Sequence, residues 1–359
     1  HGSVTESVTE AFLSDITEID SLIREEMDME KVLSVVIPSY NVEKYLDRCL
    51  SSFVNAEVLR DIEILIINDG STDKTSEIAE KYCRKYPSSF TLYNKENGGH
   101  GSGINYGIEH ATGKYFKVVD GDDWVETGNL PVFIHTLKKT NADIVASNYR
   151  LVQDGTDQIL EERYACKNKY HYGKEWGFAE AVSEPIIKIH SLTIRTDILK
   201  ENNIRVDEKV FYEDAEYILY PIPFCKNVYY DPTFVYMYRL GRNGQSVDIE
   251  SMKRHRKDHM QVLNSLFEYY IDHQFIQQYK KKYLERGIAL SVQNQYQIYL
   301  AMGDEAGVYD KMKRFDTQLR ENYPGIYQAV TKKSIWAIRH SSYLLFPLAV
   351  KLYKLMKRS

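Results

Sequence analysis

The alternation of short apolar runs with helical segments constrains the fold of this 359-residue chain more than any other feature. Apolar runs at 32–37 and 62–67 are each followed by a polar turn and then by apolar residues at helical spacing. Shorter runs at 91–93 and 115–119 repeat the pattern. Apolar runs of this length are typical of strands that are buried on both faces of a parallel sheet. We therefore expect an α/β fold with a mostly parallel central sheet flanked by helices.

The whole chain is longer than one hydrophobic core usually supports, so we expect further structural regions beside the α/β domain. Residues 1–30 are acidic and carry apolar side chains at helical spacing, which indicates a helical extension before the α/β domain at 31–248. After residue 248 the strand signals fade. We expect 249–359 to form a helical C-terminal region with a basic tail.

The composition argues against several classes of protein. Hydrophobic residues make up 43% of the chain and charged residues 27%, unlike a disordered chain or a polytopic membrane protein. A net charge of -5 gives no indication of nucleic acid binding. The four cysteines lack CxxC spacing, so neither a zinc site nor a disulfide framework is expected. Because no signal-peptide pattern opens the chain, we predict a location in the cytoplasm, or on the inner face of the plasma membrane.

The tail at 331–359 combines basic and apolar residues. No Asp or Glu occurs from residue 322 onward, whereas seven Lys and Arg residues do. This composition suits a membrane surface, so a peripheral membrane contact through the tail is one prediction. The other is that the tail forms an ordinary helix that closes the C-terminal bundle. Both stay open at this point, as does the oligomeric state.

Polar side chains cluster where the predicted strands end, and the carboxylates after the fourth strand are the densest group. Asp120, Asp122 and Asp123 stand within four residues, a concentration of like charge that a divalent cation would relieve. Oxygen ligands suit Mg²⁺ or Mn²⁺, and such an ion can bridge to a diphosphate. A solvated Asp-Gly turn is the alternative. The apolar strand before the cluster and Trp124 after it favour the metal site.

Two other loops are expected at the same crevice, because ligands bind at the carboxyl ends of parallel strands. Asp69 could accept a hydrogen bond from a base or ribose, or it could belong to a simple Asn-Asp-Gly-Ser turn. The glycine-rich stretch at 97–107 lets backbone N–H groups approach a phosphate. Its Gly101, Gly103 and Gly107 also give GxGxxxG spacing, so a dinucleotide-binding oxidoreductase is the main alternative function.

Glu213 and Asp214 lie among aromatic residues, between Tyr212 and Tyr217. Carboxyl groups in such surroundings can have a raised pKa, as a general base requires. Alternatively, the pair forms the acidic first turn of a helix, where the helix dipole favours negative charge. On these residues alone, the helix turn is the simpler interpretation.

Five motifs, in this order, resemble those of the family 2 glycosyltransferases, which have a GT-A fold with a Rossmann-like sheet. The resemblance runs over about residues 33–247, and the ordered set is far more specific than any one motif. The stretch between the fourth and fifth motifs carries no pattern that identifies a particular sugar. The motifs are VVIPSYN at 35–41, EILIINDGSTDKT at 63–75, NGGHGSGINYGIEHATGKY at 97–115, VVDGDDW at 118–124 and YED at 212–214.

The resemblance implies an inverting, metal-dependent enzyme of bacterial polysaccharide or cell-surface glycan synthesis. It would move a sugar from a nucleotide-sugar donor, expected to be a UDP-sugar, to a hydroxyl of a saccharide or lipid-linked saccharide, with Mn²⁺ or Mg²⁺ as cofactor. Asp214 is implied as the catalytic base with Glu213 beside it, and Asp120 and Asp122 as metal ligands. A module that binds a nucleotide sugar or glycan without turnover is a second alternative. The residues implied at the nucleotide site are Pro38, Tyr40, Asn41, Asp69, Asn97, Gly98, Gly103, Asp120, Gly121 and Arg242.

Overall fold

The computed structural model describes residues 31–241, 249–303 and 305–358. The predicted helical extension at 1–30 and the predicted nucleotide contact Arg242 lie outside the described residues. All four cysteines are free, which agrees with the absence of a disulfide framework.

Four parallel strands build one half of the central sheet and confirm the predicted alternation of strands and helices. The strands are β1 (Leu33–Ser39), β2 (Ile62–Asp69), β3 (Phe90–Lys95) and β4 (Tyr115–Val118), and the helices between them are α1 (Leu46–Ser51), α2 (Thr75–Lys85) and α3 (His100–His110). Backbone pairing gives the order β3-β2-β1-β4. The strand order reverses between β1 and β4, and a crevice opens at their carboxyl ends.

The other half of the sheet combines one long parallel pairing with several short antiparallel ones, so the sheet as a whole is mostly parallel, as predicted. Its strands are β5 (Trp124–Val125), β6 (Ile144–Gln153), β7 (Ile159–Arg163), β8 (Glu175–Gly177), β9 (Leu192–Arg195) and β10 (Asn227–Leu240), and its helices are α4 (Leu130–Lys139), α5 (Phe178–Ala181), α6 (Thr196–Glu201) and α7 (Asp214–Leu219), with short 3-10 turns at Thr127–Asn129 and Lys169–His171. β9 lies antiparallel between β4 and β6, whereas β10 runs parallel to β6. β5, β7 and β8 pair antiparallel with their neighbours. Antiparallel strands need no crossover helix, and β7 is exposed along its length, so no apolar run marks it in the sequence.

Two hydrophobic cores cover the two faces of the sheet, as the side-chain alternation of a strand requires. Val36 of β1 packs in one core with Ile104 of α3. Its neighbour Val35 packs in the other core with Leu50 of α1 and Phe133 of α4. The apolar runs are therefore continuous in sequence because both of their faces are buried.

The C-terminal region is helical, as predicted, and packs directly on the α/β domain. Its helices are α8 (Ile249–Arg254), α9 (Arg256–Asp272), α10 (Gln278–Ala301), α11 (Val308–Asn322), α12 (Pro324–Ala329), α13 (Lys333–His340) and α14 (Phe346–Arg358). The ring of Tyr283 in α10 meets that of Phe178 at 5.1 Å between centroids. Gly287 of α10 lets Leu219 approach, since a Cβ there would lie 2.3 Å from Leu219 Cδ2. Among the described residues, no helix is both long and apolar enough to cross a membrane.

Candidate active site

The loop after β1 and the turn after β2 hold each other in place. Asn41 has a left-handed backbone (φ 51°), and its Oδ1 accepts a hydrogen bond from the backbone N of Thr72 at 2.9 Å. Its own backbone N donates to Ser71 Oγ at 3.0 Å. These bonds fix Asn41 and the preceding Tyr40 at the carboxyl end of the sheet. The ring of Tyr40 is 52% exposed, so a ligand can reach it.

Asp69 organises the glycine-rich loop. Its Oδ1 accepts hydrogen bonds from Gly98 N at 2.9 Å and Lys95 Nζ at 2.7 Å, and its Oδ2 accepts from Gly99 N at 2.8 Å. Asn97 Nδ2 donates to the carbonyl oxygen of Asp69 at 2.9 Å. The buried carboxylate therefore positions Asn97 and Gly98 at the end of β2. Its predicted contact with a nucleotide stays a prediction.

The three glycines of the GxGxxxG pattern permit close packing of a helix on the sheet. Gly101, Gly103 and Gly107 all lie inside α3. A Cβ on Gly103 would lie 2.9 Å from Pro38 Cβ, and one on Gly107 would lie 2.4 Å from Val36 Cγ1. In a dinucleotide-binding domain such glycines belong to the first βα turn, whereas α3 follows the third strand. This placement removes the support for the oxidoreductase alternative.

The acidic loop after β4 is a tight turn that packs on the end of β1. The backbone N of Asp123 donates to the carbonyl oxygen of Asp120 at 2.9 Å and closes the turn. Gly121 N donates to the carbonyl oxygen of Pro38 at 3.3 Å. A Cβ on Gly121 would lie 2.9 Å from Ser39 Oγ, so this close approach favours glycine. The predicted nucleotide-site residues Pro38 and Gly121 are thus direct neighbours.

Strand β10 holds the acidic loop through Tyr236 and Arg239. The Tyr236 hydroxyl donates to Asp123 Oδ2 and the Arg239 backbone N donates to Asp123 Oδ1, both at 2.7 Å. Arg239 Nε donates to the carbonyl oxygen of Asp122 at 2.8 Å. Burial raises the pKa of Asp123 well above its ordinary value, and the negative charges of Asp122 and Asp120 raise it further. The loop therefore concentrates negative charge that a cation would relieve.

Within the described residues, one group of carboxylate and imidazole side chains could hold a metal ion. It comprises Asp120, Asp123 and His190, whose ligand atoms all lie within 4.8 Å of one another. Burial lowers the pKa of His190 to about 4, so its imidazole is neutral and can donate a lone pair to a metal. The group includes the predicted ligand Asp120 but not Asp122. The tight turn explains this difference, because it brings the side chain of Asp123 toward that of Asp120.

His100, the first residue of α3, joins the acidic loop to the predicted base motif. Its Nε2 lies 2.9 Å from Asp120 Oδ1, and its Nδ1 lies 2.7 Å from Glu213 Oε1. Burial opposes the charged imidazole, but the hydrogen bonds to these two carboxylates outweigh it and raise the pKa of His100 well above its ordinary value. A protonated His100 donates to both carboxylates and couples two loops that are far apart in sequence.

Asp214 begins helix α7, directly after the buried Glu213. Its side chain is accessible, so a ligand can reach it, but the surrounding protein still desolvates the carboxyl group. This desolvation, followed by the negative charge of Glu213, raises the pKa of Asp214 to about 6 against the opposing effects of Lys188 and His100. Such a carboxylate is ionised at pH 7 and remains basic enough to take a proton. Asp214 therefore lies in the acidic first turn of a helix, and its pKa also suits the predicted base, a role that stays a prediction.

Sequence reasoning missed four residues that shape this site. Of these, only His100 had a local signal, since it stands inside the glycine-rich motif. The other three meet the acidic loop only after folding. The four are His100, His190, Tyr236 and Arg239.

Known proteins share this arrangement of elements. The model of Glycosyl transferase family 2 matches residues 34–197. The minor teichoic acid biosynthesis protein GgaB of Bacillus subtilis is 30% identical over 217 residues, which are 59% of this chain and 23% of GgaB. The cholesterol galactosyltransferase of Borreliella burgdorferi is 30% identical over 201 residues, which are 52% of this chain and 54% of that protein. This chain thus spans less than two thirds of either relative.

The fold is also similar to that of a solved structure. The crystal structure of S. aureus TarS 1-349 in complex with UDP-GlcNAc has a TM-score of 0.56 to this chain, with 18% identity over 91% of each chain. At this identity the likeness concerns the fold, and it supports the GT-A architecture expected from the motifs. The family match, the relatives and the motif order agree with one another, and residues 34–197 of this chain are similar to Glycosyl transferase family 2.

Proposed function

We propose that this protein is an inverting, metal-dependent glycosyltransferase that moves a sugar from a UDP-sugar to a hydroxyl of a saccharide or lipid-linked acceptor. The observation that carries the proposal is the His100 bridge, which links Asp120 of the acidic loop to Glu213 beside Asp214. The bridge brings the predicted diphosphate side and the predicted base side of the site into one hydrogen-bonded unit.

The relatives support the donor and acceptor classes. TarS was crystallised with UDP-GlcNAc, which makes a UDP-sugar the first donor to test. GgaB is named for teichoic acid biosynthesis, and the Borreliella relative is named for transfer of galactose to cholesterol. Hydroxyl groups of cell-surface glycans or lipids are therefore the acceptors that we favour.

The donor would lie along the carboxyl ends of β1, β2 and β4. The exposed ring of Tyr40 offers a surface for stacking on a base. Asn97 and Gly98 are held at the neighbouring strand end by Asp69, and backbone N–H groups in such a loop suit phosphate oxygens. These positions agree with the expected nucleotide site and give it a physical basis.

The residues at the acidic loop fit a divalent cation. Carboxylates of Asp120 and Asp123 and the neutral imidazole of His190 would hold Mn²⁺ or Mg²⁺, with Asp122 adjacent. Such a cation, when bound, neutralises the charge that develops on a departing diphosphate. Burial raises the pKa of Asp123, the negative charges of Asp122 and Asp120 raise it further, and a bound cation would offset both effects.

Asp214 would act as the base. It takes the proton from the acceptor hydroxyl as that oxygen attacks the anomeric carbon, and the carbon–oxygen bond to the diphosphate breaks on the opposite side, which inverts the configuration. Glu213 is held by His100, so the chain segment that carries Asp214 is fixed relative to the acidic loop. Arg239 and Tyr236 anchor the acidic loop from the other side.

Incubation with a panel of UDP-sugars and glycan or lipid acceptors tests the proposal, with product anomers assigned by NMR. We expect transfer with inversion, and loss of transfer in Asp214→Asn and Asp120→Ala. Asp310→Asn, at an exposed acid in α11, is the matched control and should keep full activity. Donor binding without turnover by any acceptor would favour the non-catalytic module, and a retained anomer would contradict inversion.

A further inference from the structure

The last helix, α14, is apolar on two opposite sides. Phe346 and Val350 are 2% and 5% exposed and pack into the core that covers one face of the sheet. Leu348, Leu352 and Leu355 are 52%, 52% and 63% exposed. Their spacing places these three leucines on one stripe of the helix, and 3.6 residues per turn direct that stripe away from the buried pair. In the described chain, one apolar side of α14 is therefore buried and the other is exposed at the surface.

Further exposed apolar residues lie in the turn before α14 and on α13. Leu344 and Leu345 in the turn are 79% and 41% exposed, and Trp336 of α13 is 58% exposed. Single exposed apolar side chains are ordinary, but a row of them on elements that adjoin in sequence indicates an interaction surface. We call this row the tail patch, and it consists of Trp336, Leu344, Leu345, Leu348, Leu352 and Leu355.

The charged residues of the tail itself have one sign. Lys333 and Lys351 are exposed beside residues of the tail patch, and no Asp or Glu occurs from residue 322 to the last residue. Arg339 pairs with Asp316 of α11, so we base the inference on the lysines. The whole chain, by contrast, carries a net charge of -5. A partner that complements the patch must therefore offer an apolar layer together with negative charge. The basic residues of the tail are Lys332, Lys333, Arg339, Lys351, Lys354, Lys357 and Arg358.

We propose that the tail patch docks on the surface of an anionic lipid bilayer. The leucine stripe of α14 would enter the boundary between headgroups and acyl chains, and the lysines would meet lipid phosphates. Trp336 suits the same boundary, because an indole has an apolar body and one polar N–H. A second copy of this chain fits less well, since its own tail patch would bring like charges together. This inference goes beyond glycosyl transfer and holds for any reaction at the crevice.

Co-sedimentation of the full chain with vesicles tests the proposal. The vesicles contain phosphatidylcholine alone or phosphatidylcholine with phosphatidylglycerol, at low and at physiological salt. One variant combines Leu348→Ser, Leu352→Ser and Leu355→Ser, and a second combines Lys333→Gln with Lys351→Gln. The control combines Ile271→Ser and Phe275→Ser, two side chains that are 47% and 92% exposed and lie outside the tail. Each altered side chain is at the surface, and thermal unfolding verifies that every variant keeps the fold.

The wild type should bind the anionic vesicles and bind the neutral ones at least tenfold more weakly. The leucine variant should lose at least tenfold in partitioning, and the lysine variant about fivefold for each lysine removed. The control should bind like the wild type. The proposal is overturned if the wild type does not bind anionic vesicles, or if the leucine variant binds these vesicles as well as the control does. It is also overturned if the wild type forms a dimer that the leucine variant disrupts while vesicle binding is unchanged.

Discussion

The pKa of the proposed base gives the sharpest prediction for activity. The carboxyl of Asp214 is active as the ionised form, and its pKa of about 6 lies well above the ordinary value of 3.8. About a tenth of the enzyme carries the base at pH 5 and about nine tenths at pH 7. We therefore expect kcat/KM to rise about tenfold between pH 5 and pH 7 and then to level off. An unperturbed aspartate would give a nearly flat profile over this range.

Two substitutions should move the acid limb of the pH profile, the rise in kcat/KM between pH 5 and pH 7, in opposite directions. Glu213→Gln removes the neighbouring negative charge that raises the pKa of Asp214, so the limb should shift to lower pH. Lys188→Gln removes a positive charge that lowers this pKa, so the limb should shift to higher pH. Lys188→Arg keeps the charge and serves as the control. The hydrogen bonds of His100 to Asp120 and Glu213 raise its own pKa well above its ordinary value in the wild type, although burial opposes this.

The assay is chromatographic measurement of nucleoside diphosphate release at steady state, with ionic strength held constant across the pH range. The rates are compared as kcat/KM, because that ratio reports the free enzyme. A flat profile between pH 5 and pH 7 in the wild type would refute Asp214 as the base. Identical acid limbs in Glu213→Gln and Lys188→Gln would refute the contributions of these two charges to the pKa of Asp214.

Three further predictions concern the scaffold of the site. Gly107→Ala should lower the free energy of unfolding by about 1–3 kcal/mol in chemical denaturation, because the new methyl group would lie 2.4 Å from Val36 Cγ1. This loss is expected although alanine favours helices more than glycine does. The control is Gly128→Ala, where the added methyl group meets open space and the free energy of unfolding should change by less than about 0.5 kcal/mol. His100→Ala should lower kcat/KM by at least about tenfold, because it removes the hydrogen bonds that join the acidic loop to Glu213. The far-UV circular dichroism spectrum should stay unchanged. Full activity of this variant would contradict the bridging role of His100. Burial raises the pKa of Glu216 to about 8 in the folded protein, against an ordinary value of 4.5. The protonated carboxyl therefore favours the folded state, and this side chain lowers the free energy of unfolding progressively as the pH rises from 4.5 to about 8. Glu216→Gln should therefore gain melting temperature relative to the wild type between pH 5 and pH 8, and a pH-independent difference would contradict this account.

The parallel half of the fold could be predicted because its strands are buried on both faces. β1 and β2 are buried at nearly every position and carry apolar runs, and the polar residues that end or follow these runs mark the carboxyl ends where the crevice is expected. Asp120 and Asp69 were found for this reason. Their side chains stand at strand ends, and the order of elements brings those ends together.

The other half could not be predicted, because its strands are short, exposed or irregular. β7 has no buried residue, and β10 carries shifts in register beside Phe234 where it pairs with β6. The contacts of His190 and Arg239 with the acidic loop depend on this pairing, so no local pattern marks either residue. His100 lies 113 positions from Glu213, and its role likewise follows from the fold.

The central claim, a nucleotide-sugar site completed by a divalent cation, is tested most directly by calorimetric titration with UDP in the presence and absence of Mn²⁺. We expect UDP to bind, Mn²⁺ to tighten binding by at least about tenfold, and Asp120→Ala to abolish the effect of Mn²⁺. The Asp214→Asn variant should bind UDP like the wild type, since the base lies on the acceptor side. Absence of UDP binding together with binding of NADH would contradict the account, and UDP binding that Mn²⁺ leaves unchanged would contradict the proposed metal site.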